Sequence, residues 1–288
     1  MANISAADVK ALREKTGAGM MECKNALVET DGDFARAEKI LKEKGLAAVE
    51  KRSGRATKEG KIFIKIKENG GTGSTAVLVE LVSETDFVAR SPDFIALGGT
   101  IADKALEKGY TEPNDDLNGM VSDLASKIRE NMSLKRVKIV KAASGEYLTS
   151  YIHGDGAIGV VVRFSAGKAE AFANEDVKSF AFTIALHVAA FNPLALDKTK
   201  IDEAWLKEQE GIFRKQMEQD EGMKGKPANV LENILKGKVS KFLKDICLMD
   251  QAYVKDEKMT VAQAMADACK RFGVKLSIEE YVYFRVGE

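Results

Sequence analysis

Over the first fifty residues, apolar positions recur at helical spacing in three short bursts. Val9 and Leu12 share a face behind Ser5, whose hydroxyl can cap a helix, and Thr16-Gly17-Ala18-Gly19 ends the burst with residues that tolerate left-handed geometry. A second helix is predicted from about Met20 to Glu29, with Met21, Ala26 and Leu27 among its apolar positions; of Met20 and Met21, one is expected to pack inward and the other to face out. Asp31-Gly32-Asp33 supplies a turn and a cap, and Phe34, Ala37, Ile40 and Leu41 mark a third helix that Gly45 should stop. Cys23 lies inside this pattern and reads as a small buried thiol.

The period then changes to two. In Lys61–Lys67 the lysines alternate with Ile62, Ile64 and Ile66, giving one wet and one dry face. Asn69-Gly70-Gly71-Thr72-Gly73 turns the chain into Thr75–Val82, so a hairpin is expected. A phosphate-binding loop would need Lys-Ser or Lys-Thr after these glycines, and none is present.

The second strand runs into ELVSETDFVAR (Glu80–Arg90). Ser83-Glu84-Thr85-Asp86 are turn and helix-start residues, Phe87 follows directly, and Pro92-Asp93 opens the next helix. Locally Phe87 admits two readings: a hydrophobic staple folded back on the core, or an exposed wedge beside a carboxylate.

Phe94, Ile95, Leu97, Ile101 and Leu106 pattern a helix ending near Gly109, followed by a polar loop, Tyr110–Gly119. Val121, Leu124, Ala125 and Ile128 predict another helix, and a strand follows around Leu134–Val140. Hairpin, loop and helix then recur: Tyr147–His153, the turn Gly154-Asp155-Gly156, Ala157–Phe164, and a helix from about Asp176 to Phe191 that is apolar nearly all round. His187 within it reads as a core histidine with its hydrogen bonds satisfied. Asp202–Gln219 and Pro227–Ile246 form a helical hairpin with broad apolar stripes, suited to self-association or closed on each other. Cys247–Val254 is expected as a returning strand, Thr260-Val261 opens a helix through Lys270, and Tyr281–Val286 is a last strand. The class is α+β: a three-helix module at 1–50, a basic linker at 51–60, then two related antiparallel-sheet-plus-helix subdomains at 61–142 and 143–288, the second carrying the inserted hairpin 202–246.

Composition narrows the function. Of 288 residues, 45% are hydrophobic and 31% charged, and Lys+Arg and Asp+Glu both number 44, so no global field recruits nucleic acid or acidic membrane. The apolar runs are too short to span a bilayer, no leader pattern is visible, and three scattered cysteines suit a reducing compartment; a cytoplasmic protein is expected. Between Lys42 and Lys67 there are nine Lys or Arg against three Glu, which leaves an RNA-binding or ribosome-associated role open, although no aromatic ladder interleaves the charges. His153 and His187 lack metal-ligand spacing, and no nucleophile elbow or dinucleotide fingerprint is present. No catalytic residue, metal or cofactor is therefore assigned, and binding is the expected mode of action; a metabolic enzyme is the weaker reading.

Two stretches carry a family resemblance. LREKTGAGMMECKNAL (Leu12–Leu27) is similar to the N-terminal signature of bacterial elongation factor Ts, and ELVSETDFVAR resembles its second signature; HVAAFNP (His187–Pro193), the hairpin and the closing FRVGE follow in the same order. Many members have Asn-Cys where this chain has Val82-Ser83. The resemblance implies a guanine nucleotide exchange factor for the GTPase elongation factor Tu. It implies that the ubiquitin-associated-like N-terminal module docks through Arg13, Met20 and Met21, and that Thr85, Asp86, Phe87 and Val88 enter near the partner's Mg²⁺ site, making Phe87 a wedge. It also implies dimerisation through the hairpin in some members. His187 stays open between core packing and partner contact.

Overall fold

Three helices, α1 (Ala6–Thr16), α2 (Met20–Glu29) and α3 (Phe34–Arg52), pack around Leu12, Cys23, Ala26, Leu27, Ala37 and Leu41. In this computed structural model, which describes residues 4–70 and 73–288, α1 opens with a reciprocal Ser5–Asp8 capping box and closes on Gly17 at φ 69°, a left-handed conformation that costs glycine least. The buried Cys23, Ala26 and Leu27 occupy the inner face of α2, so Met20 and Met21 both face outward, contrary to the expected split.

The main body contains β1 (Glu59–Glu68), β2 (Gly73–Ser83), α4 (Asp86–Ala89), α5 (Pro92–Lys108), α6 (Asp115–Ile128) and β3 (Met132–Ala143), followed by β4 (Glu146–His153), β5 (Ile158–Ala166) and α7 (Glu175–Phe191). Then come α8 (Glu203–Gln219), α9 (Ala228–Ile246), β6 (Ala252–Tyr253), β7 (Asp256–Thr260), α10 (Val261–Phe272) and β8 (Leu276–Arg285). Two antiparallel three-stranded sheets result, ordered β1-β2-β3 and β4-β5-β8, each with the second strand of its hairpin in the centre. The tip of the first hairpin, Gly71-Thr72, lies outside the described residues.

Strand alternation builds four layers. Ile62, Ala76, Leu78 and Val140 from one sheet meet Leu148, Val161, Val282 and Phe284 from the other. On the far side of the first sheet, Val77, Val79 and Leu81 pack under Phe94, Ile101, Leu117 and Val121 of α5 and α6. On the far side of the second, Val160, Val162 and Phe164 pack under Phe180, Ile184, Val188 and Met265 of α7 and α10. Both central strands are thus covered on both faces, which is why β2 reads as a nearly continuous apolar run. No helix among the described residues is long and apolar enough to cross a membrane.

Several boundaries differ from the sequence expectation, each for a physical reason. Helix α3 does not stop at Gly45 but continues to Arg52. Gly45 is where α3 approaches α6: a Cβ there would stand 3.1 Å from the Cβ of Ser126, and Lys42 bridges to Asp123 at 3.1 Å nearby. The glycine serves a close helix crossing. The chain between α3 and β1 is short and held by Asn131, whose Nδ2 donates to the carbonyls of Ser53 (3.1 Å) and Arg55 (2.6 Å). Helix α6 begins at Asp115, inside the expected polar loop, because Asn114 accepts from the Leu117 amide and two acids occupy the first turn.

The expected strand Cys247–Val254 is mostly not one. Leu248–Asp250 forms a 3₁₀ turn whose leading amides donate to Ala195 and Leu196, Cys247 makes a single isolated bridge to Ala195, and Ala252–Tyr253 pairs with β7. The stripes of the helical hairpin close largely on each other: Phe242 of α9 packs on Trp205 and Phe213 of α8, with ring centroids 6.0 and 5.3 Å apart.

The sheets approach closely at Gly159 in β5, where an added Cβ would lie 2.4 Å from Cγ2 of the buried Ile62. Gly159→Ala is expected to destabilise the chain by about 1–3 kcal/mol, the usual effect of overpacking a close-packed interior. A lowered denaturant midpoint with an unchanged slope would report it; an unchanged midpoint would mean that the sheets separate freely.

Candidate functional site

The strand β2 ends at Ser83, and the next six residues form a short tip. Thr85 is the N-cap of the four-residue α4, its Oγ accepting from the Val88 amide at 3.4 Å, while the buried Ser83 hydroxyl donates to the Thr85 carbonyl at 3.0 Å. Val88 and Ala89 are buried in the core under α5. Phe87, between them and Asp86, is 83% exposed. The staple reading therefore fails: the inward apolar residue is Val88. Asp86 lies in the first helical turn, where a carboxylate is favoured by the helix dipole, and pairs loosely with Arg90 at 3.4 Å.

A second segment clamps this tip. Residues 129–131 follow α6, and Arg129 takes a left-handed conformation (φ 68°) at its end. The carboxylate of Glu130 accepts from the Thr85 amide (3.1 Å) and from the Thr85 hydroxyl (2.9 Å). Reciprocally, Glu84 Oε1 accepts from the Asn131 amide at 2.6 Å. The sequence offered no local signal for Glu130, because its partner is 45 residues away and neither lies in a periodic stretch.

The same segment reaches the N-terminal helices. Arg129 donates to Glu22 in α2, and Glu22 also accepts from the Gly19 amide at 2.7 Å. The Gly19 bond leads in holding the Glu22 pKa below the carboxylate range; burial opposes it and Arg129 assists. Met20 (47% exposed) and Met21 (64% exposed) start this helix, and Arg13 is exposed on α1. The two signature stretches are thus joined through residues 129–131.

His187 stands apart from both. It is fully buried in α7; Val254 N–H donates to Nδ1 at 3.2 Å, and Nε2 lies 3.0 Å from Gln251 Oε1, which fixes a neutral ring with its proton on Nε2. Gln251 is itself oriented by its amide donating to the Asp245 carbonyl at 2.7 Å. His187 is thus buried, with both ring nitrogens bonded within the chain. Of the nine basic residues between Lys42 and Lys67, five are paired with acids: Lys42, Lys44, Arg55, Lys61 and Lys65 with Asp123, Glu29, Glu84, Asp155 and Asp103. Among the described residues no group of three or more His, Cys, Asp or Glu could hold a metal ion.

Fold and site together define an α+β protein whose distinctive feature is an exposed aromatic next to a carboxylate on a capped one-turn helix at the end of β2. Comparison with known proteins makes the class specific. The model of the family described as elongation factor TS matches residues 84–288. Elongation factor Ts of Treponema denticola is 48% identical over 285 residues, covering 99% of each chain. That of Treponema pallidum (strain Nichols) is 46% identical over 290 residues, again 99% of each. That of Clostridium acetobutylicum is 38% identical over 296 residues, covering 99% of this chain and 93% of the relative. The chain belongs to the elongation factor Ts family of translation elongation proteins.

The buried imidazole has a measurable consequence. Burial holds the His187 pKa below its ordinary 6.5, opposed by the Gln251 bond. Below that value the unfolded chain binds a proton that the folded chain still refuses, so stability falls as pH drops from about 6.5 toward the folded-state pKa. His187→Gln is expected to flatten this part of the profile. Denaturant midpoints of both chains at pH 7 and pH 5 check it: equal losses would show that His187 does not carry the effect.

Proposed function

We propose that this chain is a guanine nucleotide exchange factor for elongation factor Tu, acting in the cytoplasm by protein–protein binding without covalent chemistry of its own. The observation that carries the reading is Phe87, 83% exposed on a tip whose flanking residues are capped, clamped and buried. An unsupported aromatic on a mobile loop would collapse onto nearby apolar surface. Here Thr85 and Val88 are held inward, and Asp86 and Phe87 face out. In this reading residues 1–50 dock on the GTPase through Arg13, Met20 and Met21, 61–142 presents the tip, and 143–288 grips further GTPase surface.

The physical scheme is indirect. Bound GDP is held largely by Mg²⁺ bridging its phosphates and by a backbone cradle. Apolar bulk driven in near that site shifts the Mg²⁺ ligands, and the loss of the metal leaves phosphate charge uncompensated. Linkage then requires that nucleotide weaken the factor as much as the factor weakens nucleotide, so incoming GTP releases it unchanged. The hairpin 202–246 leaves Ile212 and Val230 exposed after its stripes have closed, and self-association through that face is part of the proposal. Sedimentation over a wide concentration range tests it: a growing dimer fraction is expected, and a single monomeric species throughout would remove the idea.

The wedge is tested with two substitutions. Phe87→Ala should leave the denaturation midpoint unchanged, since the ring packs on little, yet slow release of labelled GDP from elongation factor Tu. Truncating an aromatic anchor removes roughly 2–4 kcal/mol, about thirty- to a thousand-fold in the exchange step. Asp86→Asn should slow exchange in the presence of Mg²⁺ and much less in EDTA, where no metal remains to be displaced. A stable Phe87→Ala chain with full exchange activity would defeat the proposal.

A further inference from the structure

The clamp on the tip suggests a role for Glu130, a partly buried residue behind the exposed ring. Glu130 places its carboxylate on Thr85 alone: on the amide at 3.1 Å and on the hydroxyl at 2.9 Å. No basic side chain lies within ion-pair distance of it among the described residues, although its neighbour Arg129 is a guanidinium. Thr85 is the cap of a helix of only four residues, too short to hold itself together, so the direction in which Phe87 points depends on how Thr85 is held. Arg129 adopts a left-handed conformation that is unfavourable for a residue with a Cβ, and from it reaches Glu22 at the start of the Met20–Met21 helix. Asn131 closes the third side through its amide on Glu84 and its side chain on Ser53 and Arg55.

We propose that Glu130 is a positioning residue for Phe87, and that the Arg129–Asn131 segment ties the Met20–Met21 face to the Thr85–Val88 tip as one rigid unit. The inference rests on the exchange reading above. It adds that the tip works only when its geometry is fixed from behind, by a carboxylate that never contacts the partner. Loss of Glu130 leaves the Thr85 amide and hydroxyl without their acceptor, frees α4, and lets Phe87 sample directions that do not enter the GTPase.

The test uses the full chain and elongation factor Tu loaded with labelled GDP. For Glu130→Ala, the maximal release rate at saturating factor is expected to fall about tenfold, the scale of losing a charge-assisted hydrogen bond, while the half-saturating concentration changes less than about twofold. Glu130→Gln keeps a carbonyl acceptor for Thr85 and should recover most of the rate. Hydrogen exchange of the Val88 and Ala89 amides should speed up in Glu130→Ala and return toward wild type in Glu130→Gln. The proposal is overturned if Glu130→Ala exchanges nucleotide at the wild-type rate, or if its α4 amides stay fully protected. It is equally overturned if the loss lies wholly in the half-saturating concentration, which would make Glu130 a docking residue, or if Glu130→Ala is globally unfolded and the stable Glu130→Gln shows no intermediate behaviour. A wild-type chain that accelerates nothing would instead bring down the exchange reading itself, and this role with it.

Discussion

The architecture turns on one buried carboxylate and the partly exposed guanidinium paired with it. Glu80 sits on the inner face of β2, between the two sheets, with no exposed surface. One carboxylate oxygen accepts from Arg136 Nε in β3 at 2.5 Å and the other from the Gly287 amide at 2.9 Å, while Arg136 also donates to the Arg285 carbonyl and lies over the Phe284 ring. A carboxylate in that position is tolerable only when every one of these partners is present; removing one member of such a pair costs about 3–5 kcal/mol. Apolar faces of two sheets can slide over one another with modest loss. The carboxylate cannot slide, because only one register brings the end of β8 to it. The pair therefore fixes where the first sheet stands on the second, and with it where the outlet of β2 points.

The second sheet repeats the device with the charges exchanged. Glu80 faces Arg136 across β2 and β3 beside a bulge that leaves Lys135 unpaired in the ladder. Arg163 faces Glu280 across β5 and β8, again beside a bulge, which there skips Glu279. In both sheets the central strand belongs to a hairpin, and the third strand returns after intervening helices. Bulges increase local twist and re-aim the strand end, which in the first sheet is the end carrying the tip. The repetition of strand order, bulge and ion pair is stronger than the likeness of the two halves in sequence, since few residues are shared. What recurs is a solution to the same packing problem.

Legibility in the sequence followed the range of the forces involved. Period-two alternation in Lys61–Lys67 and helical spacing in α5, α7 and α9 come from local geometry plus burial, and those elements stand where the pattern put them. Gly45 misled because a glycine that ends a helix and one that lets two helices touch look alike until Ser126 is placed beside it. Phe87 was undecidable locally because the answer lay in whether Val88 had a core to enter. Glu130 was invisible, since a carboxylate in a loop carries no periodic signal and its meaning comes from an amide far off in the chain. Motifs disclosed the exposed half of the site. Part of its support, Glu130 and Asn131, was written in residues that no motif contains.

That division follows from what an exposed aromatic at a strand outlet requires. An aromatic ring left in water gains nothing toward folding, so its surroundings must supply the order that it does not. The buried Val88 and Ala89 anchor the tip from below, Thr85 caps it, and Glu130 and Glu84 bind it crosswise to the end of α6. A helix of one turn would otherwise melt, and a melted tip would meet a partner as a flexible loop, losing to conformational entropy much of what the ring gained on contact. Rigidity established during folding is rigidity that binding need not supply. The buried acid at Glu80 and the clamp at Glu130 are thus successive parts of one arrangement: the first fixes the strand, the second fixes its end, and the exposed ring inherits a defined direction from both.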